Sequence, residues 1–211
     1  LNSELKSDEL EYIFSHCQPK LIIATKRYQE KFKVLNYYNN TKIGLFEFNN
    51  LKFKCIKDIK LKNKTYINKI LPSTEASLLY TSGTTGKPKG CILSHSYEIN
   101  AGLGYIKKKG LISIKSSEEK IYNCLPIHHV NAGVLSFFAV LLSGNCQIQA
   151  QRFSSSMFWK DIKLSKATIF HYLGVIVSIL LKKNKSSYER NNNLRLGVGA
   201  GIEPHHHKLF E

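Results

Sequence analysis

Apolar residues recur along the chain in short blocks, some at the spacing of a helix and others at that of a strand. Within Ser7–Cys17, Leu10, Ile13 and Phe14 fall on one helical face, and Pro19 follows the block. This spacing predicts an amphipathic helix that ends before the proline. Further helices are predicted at residues 94–106, 131–142 and 175–183, and from 204 onward.

Shorter apolar runs lie between these helices and predict strands. They occupy residues 21–24, 51–61, 77–80, 92–93, 122–125, 146–150, 167–170 and 194–198. In residues 51–61 apolar positions alternate with lysine, which indicates a half-exposed strand or hairpin. Strands that alternate with helices predict an α/β fold with largely parallel sheets and flanking helices. The polar residues 182–193 (KKNKSSYERNNN) predict an exposed loop.

Length and hydropathy narrow the class of protein. The chain has 211 residues, of which 43% are hydrophobic, so it can form one large domain or two small ones with a real core. Its longest apolar stretches have about nine residues, which is too short for a transmembrane segment. No secretory signal pattern precedes the first helix. These features predict a cytoplasmic protein.

The chain is strongly basic, with 31 Lys and Arg against 15 Asp and Glu and a formal charge of +16. Such a charge is typical of proteins that bind nucleic acid or anionic membranes. However, only four of the basic residues are Arg, and no zinc-finger, RNP or homeodomain-like pattern is present. A compositional bias toward Lys explains the charge better, and we expect no nucleic-acid partner.

Five cysteines are spread along the chain without a CxxC pair: Cys17, Cys55, Cys91, Cys124 and Cys146. An odd number of scattered cysteines is typical of a reducing compartment, where cysteine serves as a small core residue. We therefore expect neither a disulfide framework nor a zinc site.

Candidate chemistry concentrates in the segment TSGTTGKPKG, residues 81–90. Its three glycines allow tight turns and a close approach of backbone amides to a ligand. Its four hydroxyls and two lysines add donors and positive charge, and no acidic residue lies between Glu75 and Glu98. A polyphosphate needs these groups. An ordinary surface turn is the alternative, but the density of such residues favours phosphate binding.

The segment is not a Walker A loop, which needs four residues between its glycines where Gly83 and Gly86 have two. Instead, YTSGTTGKPKG followed by Leu-Ser-His resembles the phosphate loop of the adenylate-forming superfamily. That superfamily includes acyl-CoA synthetases, peptide-synthetase adenylation domains and luciferases. The resemblance implies that the chain is part of the large N-terminal domain of such an enzyme.

Other segments resemble the same superfamily, in the same order along the chain. They are NSELKSDELEYIFSHCQPKLII (residues 2–23), LPIHHVNAG (125–133), FSSSMFWKDIKLSKATIFHYLGVIVSILL (153–181, a helix–strand–helix) and RLGVGAGIEP (195–204). Residues 153–181 look most similar to carnitine- or crotonobetaine-CoA ligases. Residues 1–211 therefore resemble a partial AMP-binding domain that is truncated at both ends and lacks the small C-terminal domain.

The resemblance implies a reaction in two steps. A carboxylic acid attacks the α-phosphate of ATP to form an acyl-adenylate, and a thiol, usually of coenzyme A, then accepts the acyl group. The loop would hold the β- and γ-phosphates through Thr81, Ser82, Gly83, Thr84, Thr85 and Gly86, with support from Lys89. His129 would act near the reacting carboxylate, and Gly199, Ala200 and Gly201 would wall the acyl and adenine pocket.

The main Mg²⁺ ligand of the superfamily is a Glu in a Tyr-Gly-x-Thr-Glu motif, which we expect beyond Glu211. No metal ligand is therefore predicted within the chain, and we expect residues 1–211 alone to complete neither step. Two other functions stay open. One is an adenylation domain that loads a carrier protein, and the other is a basic binding module without catalysis.

Several candidate residues have simpler interpretations. His129 follows Pro126 and could cap the next helix, and His128 is best read as a wall residue. Gly197–Gly201 lacks the third glycine of a dinucleotide fingerprint, because Ile202 stands there. Adjacent helix positions point about 100° apart, which argues against one metal ion held by residues 205–207, all histidines. His171 in an apolar strand predicts a hydrogen-bonded core residue.

Overall fold

The computed structural model of the chain describes residues 1–19, 22–23, 28–33, 35, 46–49, 52–55, 69–81 and 86–210. These residues divide into two units. The first unit comprises Leu1–Lys69 with Tyr80–Gly90, and the second comprises Ile70–Leu79 with Cys91–Glu211.

Helix α1 (Ser7–Cys17) gives the first unit its core. Leu10, Ile13 and Phe14 are buried on one face, as predicted, and pack with Ile22 and Leu35. The backbone amide of Lys6 donates to the Glu9 carboxylate over 2.7 Å and begins the helix, and Gln18 ends it in the left-handed conformation. The predicted helix is therefore confirmed, with its buried face at the predicted apolar positions.

The rest of the first unit contains α2 (Gln29–Lys33) and an antiparallel hairpin of β1 (Phe46–Asn49) and β2 (Lys52–Cys55). The hairpin begins earlier than the predicted range 51–61, of which residues 51 and 56–61 lie outside the described residues. The predicted strand at 21–24 also lies partly outside them. Its described residues, Ile22 and Ile23, have no strand structure.

Strands β3 (Glu75–Thr81) and β4 (Lys89–Ser94) pair in a two-stranded sheet. Helix α3 (His95–Ile106) follows β4 directly. The Ser94 hydroxyl accepts a hydrogen bond from the backbone amide of Tyr97 over 3.2 Å, so the predicted N-cap is confirmed.

A four-stranded parallel sheet forms the centre of the second unit, with the order β6-β5-β7-β8. Its strands are β5 (Lys120–Asn123), β6 (Cys146–Gln149), β7 (Ile169–Leu173) and β8 (Leu196–Ala200). The helices that follow α3 in the chain are α4 (Phe137–Ser143), α5 (Phe158–Ser165), α6 (Gly174–Leu181) and α7 (Pro204–Phe210). The predicted α/β fold with a parallel sheet is therefore confirmed.

Apolar side chains cover both faces of this sheet, as in most parallel sheets. On one face, Ile121 and Ile169 pack with Val140 of α4. On the other face, Tyr122 and Phe170 pack with Phe158 of α5, together with residues of α6. No helix in the described part of the chain is long and apolar enough to cross a bilayer.

Two details differ from the prediction. The helix expected at 131–142 begins as a π-helix, Asn131–Ser136, and continues as α4.

The cysteines are free thiols where described, but Cys91 and Cys146 are exposed. The expectation of core cysteines is therefore wrong for these two; it holds for the buried Cys124, and Cys17 is partly buried against the core of the first unit.

Candidate active site

The glycine-rich loop connects β3 to β4. Thr81 is the last residue of β3 and Lys89 the first of β4, and both side chains are exposed. Gly86 has φ +91°, where an L-residue is strained, although a Cβ there would meet no atom of the described residues within 4 Å. Backbone conformation, not space, therefore requires glycine. Ser82, Gly83, Thr84 and Thr85, predicted as phosphate ligands, lie outside the described residues.

Helix α1 supports this loop within the first unit. The Tyr80 hydroxyl lies 2.7 Å from His16 Nδ1, and Lys87 Nζ lies 5.6 Å from the centroid of the Tyr12 ring. The Tyr12 and His16 rings stack at 5.9 Å. Burial raises the pKa of Tyr80 to about 12, so its hydroxyl stays protonated and can donate to His16.

The sequence analysis missed the contribution of Tyr12 and His16. Their spacing of four residues places them on one face of α1 and was a possible signal. Lys87 lies over the Tyr12 ring, whereas the predicted phosphate ligand Lys89 is the first residue of β4. The two lysines of the loop therefore have different surroundings.

In the second unit, a tight turn after β5 carries His128 and His129. The His129 amide donates to the Pro126 carbonyl over 3.0 Å, and the His129 carbonyl accepts from the Gly133 amide over 2.9 Å. A Cβ on Gly133 would lie 2.1 Å from the Ile127 carbonyl oxygen, so only glycine allows this approach.

The two histidine rings differ in exposure. His129 is exposed and His128 is half-buried, with the ring centroids 4.4 Å apart. Burial, with a smaller contribution from the neighbouring His129, lowers the pKa of His128. A neutral His128 beside an exposed His129 agrees with the predicted roles of wall and site residue, which stay predictions.

A buried polar network lies beside this turn. Ser136 Oγ lies 2.6 Å from Asn123 Nδ2 and 2.9 Å from His171 Nδ1, and His171 Nε2 lies 3.1 Å from the Tyr105 hydroxyl. The predicted core role of His171 is confirmed, since its side chain is buried and hydrogen-bonded. The sequence analysis missed the other members, because β5, α3, the π-helix and β7 contribute one residue each.

The predicted pocket wall, Gly199, Ala200 and Gly201, lies exposed at the carboxyl end of β8. A Cβ on Gly199 would lie 2.3 Å from the Tyr172 carbonyl oxygen, and Gly201 has φ +75°. Strand packing and backbone conformation therefore already require glycine at both positions. Their role toward a ligand stays a prediction.

The turn with His129 follows the carboxyl end of β5, and Gly199, Ala200 and Gly201 lie at the carboxyl end of β8 in the same parallel sheet. The chain leaves β5 toward β6 on one side, whereas β7 and β8 lie on the other. Ligands of open α/β sheets bind outside the carboxyl ends of strands at such a switch point. The geometry therefore favours a ligand site at this edge of the second unit.

Two of the three histidines at residues 205–207 lie in a cluster of possible metal ligands. Ligand atoms of Glu203, His205 and His206 lie within 4.8 Å of one another, and the His205 and His206 rings are 4.0 Å apart. Adjacent helix positions still diverge by about 100°, but the two rings lie close together at the start of α7. Glu203, not His207, takes the third place in the cluster.

Comparison with known proteins gives the family. The family model described as AMP-binding enzyme matches residues 1–211. The chain belongs to the AMP-binding enzyme family. This membership confirms the resemblance to adenylate-forming enzymes that the loop and the other segments carry.

Curated relatives in this family have fatty-acid names. Long-chain fatty acid transport protein 1 of Homo sapiens is 34% identical over 127 residues, which cover 60% of this chain and 19% of that protein. Medium/long-chain-fatty-acid–CoA ligase FadD6 of Mycobacterium tuberculosis is 34% identical over 129 residues, covering 61% and 21%. The matches thus span about a fifth of each relative. The narrower resemblance to carnitine ligases stays a prediction.

Solved AMP-binding structures share the fold. The inhibitor-bound N-terminal domain of FACL13 from Mycobacterium tuberculosis has a TM-score of 0.74 at 16% identity, covering 100% of this chain and 52% of that one. O-succinylbenzoate coenzyme A synthetase from Bacillus subtilis, in complex with ATP and a magnesium ion, has a TM-score of 0.70 at 20% identity, covering 95% and 38%. At these identities the similarity shows the fold.

Proposed function

We propose that this AMP-binding chain is part of an enzyme that activates a carboxylic acid with ATP to an acyl-adenylate and then forms a thioester with coenzyme A. One observation carries the proposal. The YTSGTTGKPKG segment connects two paired strands in a chain that belongs to the AMP-binding family over residues 1–211.

The loop is suited to the phosphates of ATP. Hydroxyls of Thr81, Ser82, Thr84 and Thr85, and backbone amides at Gly83 and Gly86, would donate to the β- and γ-phosphate oxygens. Lys89 would add positive charge. No carboxylate lies between Glu75 and Glu98, so this segment suits an anion and supplies no acidic ligand for Mg²⁺. Mg²⁺ would bind with ATP and neutralise phosphate charge.

No protein nucleophile is needed, because the acid itself attacks the α-phosphate. The contribution of the chain would be positioning and charge neutralisation. In this scheme His129 lies near the reacting carboxylate, and Gly199, Ala200 and Gly201 line the acyl and adenine pocket. The position of both segments at the carboxyl ends of strands supports these roles.

The fatty-acid names of the two curated relatives support a fatty acid as the substrate class. They support coenzyme A as acceptor in one case, the ligase. Loading of a carrier protein is the second candidate, since a glycine-rich phosphate loop alone does not distinguish the two acceptors.

Binding of ATP to the chain tests the proposal. We expect isothermal titration calorimetry to detect ATP binding that Lys89→Ala weakens about tenfold, or about 1.4 kcal/mol. Lys108→Ala is the matched control, because it removes an exposed lysine beyond α3. Equal loss in both variants, or no ATP binding together with tight and steeply salt-dependent DNA binding, would favour the basic binding module.

A second measurement addresses the acid. We expect a non-hydrolysable fatty acyl-adenylate analogue to bind more tightly than ATP, and more tightly than the analogue of a short betaine acid. A preference for the betaine analogue would contradict the fatty-acid class and restore the carnitine-like prediction.

A further inference from the structure

The turn that carries His128 and His129 is held at both ends by one buried network. Before the turn, Asn123 Oδ1 accepts a hydrogen bond from the Leu125 amide over 2.9 Å. After the turn, the Ser136 hydroxyl donates to the Asn131 carbonyl over 3.0 Å. Asn123 and Ser136 are themselves bonded over 2.6 Å.

The donors and acceptors of this network can be assigned in a pattern in which each atom has a compatible partner. The Leu125 amide can only donate, so the atom of Asn123 that it meets is Oδ1, and Nδ2 faces Ser136. The Asn131 carbonyl can only accept, so it receives the single proton of the Ser136 hydroxyl. Asn123 Nδ2 can only donate and occupies one lone pair of Ser136 Oγ.

The remaining lone pair of Ser136 Oγ faces His171 Nδ1 at 2.9 Å. With the Ser136 proton on the Asn131 carbonyl, the proton of the ring lies on Nδ1 and donates to this lone pair. A neutral imidazole with a proton on Nδ1 has an acceptor at Nε2, which lies 3.1 Å from the Tyr105 hydroxyl. Every polar atom of the four side chains in this pattern has a compatible partner.

Burial raises the energetic cost of leaving any polar atom of this network without a hydrogen-bond partner. Asn123, Ser136 and His171 have relative exposures of 0%, 1% and 2%, so water does not replace a missing partner. Burial also lowers the pKa of His171 to about 4, which keeps the ring neutral near pH 7. The π-helix contributes as well, since its i to i+5 spacing is that between Asn131 and Ser136.

We propose that Ser136 and His171 are positioning residues for the turn at His128 and His129, with His171 held as the Nδ1-protonated tautomer. The ring of His171 directs the Ser136 hydroxyl onto the Asn131 carbonyl, and this bond fixes the end of the turn. The functional part of the inference rests on the proposed role of His129 at the acid, whereas the positioning itself does not.

Ring ¹⁵N NMR of the 211-residue chain at pH 7 tests the tautomer. We expect His171 to carry its proton on Nδ1. In Ser136→Ala, Nδ1 loses its acceptor, so we expect the proton to move to Nε2 and donate to Tyr105. We also expect the His129 and Gly133 amides to exchange with solvent at least tenfold faster.

Ser143→Ala is the matched control. Ser143 is also a buried serine whose hydroxyl donates to a backbone carbonyl, that of Ala139, over 2.6 Å. It belongs to α4 and touches no member of the network. We expect the same His171 tautomer and the same exchange at His129 as in the unchanged chain. An Nε2 proton in the unchanged chain, or equal effects of both variants, would overturn the proposal.

Tyr105→Phe keeps the proposal testable if Ser136→Ala does not fold. It removes only the donor to Nε2, so we expect His171 to keep the proton on Nδ1, and a move to Nε2 would overturn the proposal.

The fatty acyl-adenylate analogue gives the functional readout. We expect Ser136→Ala to weaken its binding at least tenfold and to leave ATP affinity within about twofold. Unchanged binding of the analogue together with faster exchange at His129 would overturn the role of the turn at the acid, and unchanged binding together with unchanged exchange would overturn the positioning role as well. Failure of the unchanged chain to bind ATP would count against the proposed function alone, because tautomer and exchange need no ligand.

Discussion

Several glycines at the candidate site are required by the packing of the backbone, independently of any ligand. Gly174 would place a Cβ 1.7 Å from the Gly201 carbonyl oxygen, and Gly199 faces the Tyr172 backbone. The start of α6 and strand β8 therefore need these glycines in order to pack. A small residue at a strand end is evidence for a ligand only when an independent feature, such as the switch point of the sheet, indicates the same place.

Arg195 shows how a residue inside a family segment can serve stability. Its guanidinium pairs with Glu119, whose side chain is 2% exposed, and also donates to the Ser113 carbonyl over 2.7 Å. Thr168 donates to the same carboxylate over 2.5 Å. Although burial opposes ionisation, hydrogen bonds from Arg195, Thr168 and the Lys115 amide hold the pKa of Glu119 below its usual value.

We therefore expect Arg195→Ala to lower the free energy of unfolding by about 1–3 kcal/mol, because it leaves the buried Glu119 carboxylate without its partly exposed cation. Lys115→Ala is the control, since Lys115 pairs with Glu118 where both side chains are mostly exposed. It should change the free energy by less than about 0.5 kcal/mol. Urea unfolding measures both, and equal effects would contradict a stabilising pair between Arg195 and the buried Glu119 carboxylate.

At the scale of elements, most helices could be predicted from residues near one another in the sequence. Close contacts between elements could not, because they depend on residues far apart in the chain. The face of α1 and the cap at Ser94 were predictable, because both depend on residues within one turn. The spacing of apolar residues did not predict helix α5, which was implied only by the family resemblance. Its buried residues are Phe158 and Ile162. The π-helix had no local signal.

Helix α3 provides a matched pair of glycines. A Cβ on Gly102 would lie 2.6 Å from the backbone of Phe138 in α4, whereas one on Gly104 would meet nothing within 4 Å. We expect Gly104→Ala to stabilise the chain by about 0.5–1 kcal/mol through helix propensity. Gly102→Ala should destabilise it by about 1–3 kcal/mol through overpacking.

Thermal unfolding of the two variants checks this contrast. Because both substitutions add one methyl group to the same helix, propensity is nearly equal and only packing differs. Stabilisation by both would mean that α3 and α4 are further apart than the structure places them.

At the scale of the whole molecule, the sequence predicted the fold class and the family but not the networks that hold the site. His16 meets Tyr80 across 64 positions, and Arg195 meets Glu119 across 76. No spacing rule reaches that far along a chain. The formal charge of +16 likewise indicated no function, whereas ten residues of the loop indicated phosphate binding.

Buried ionisable groups make the stability of the whole chain depend on pH. Burial lowers the pKa of His171 from its usual 6.5 to about 4, so between these values the unfolded chain binds more protons than the folded one. The pKa of Glu119 is also lowered, which acts in the same direction at lower pH. Stability therefore rises with pH and falls on acidification.

For His171 the expected loss between pH 6.5 and pH 4 is at most about 3 kcal/mol. Urea midpoints at pH 7, 6, 5 and 4 measure this loss. His171→Gln removes the titrating ring while keeping an amide donor and acceptor, so its pH profile should be flatter between pH 6.5 and 4.5, whatever its stability at pH 7. Parallel profiles for the two chains would show that His171 titrates normally in the folded state, and a solvated His171 could not keep the Ser136 hydroxyl on the Asn131 carbonyl.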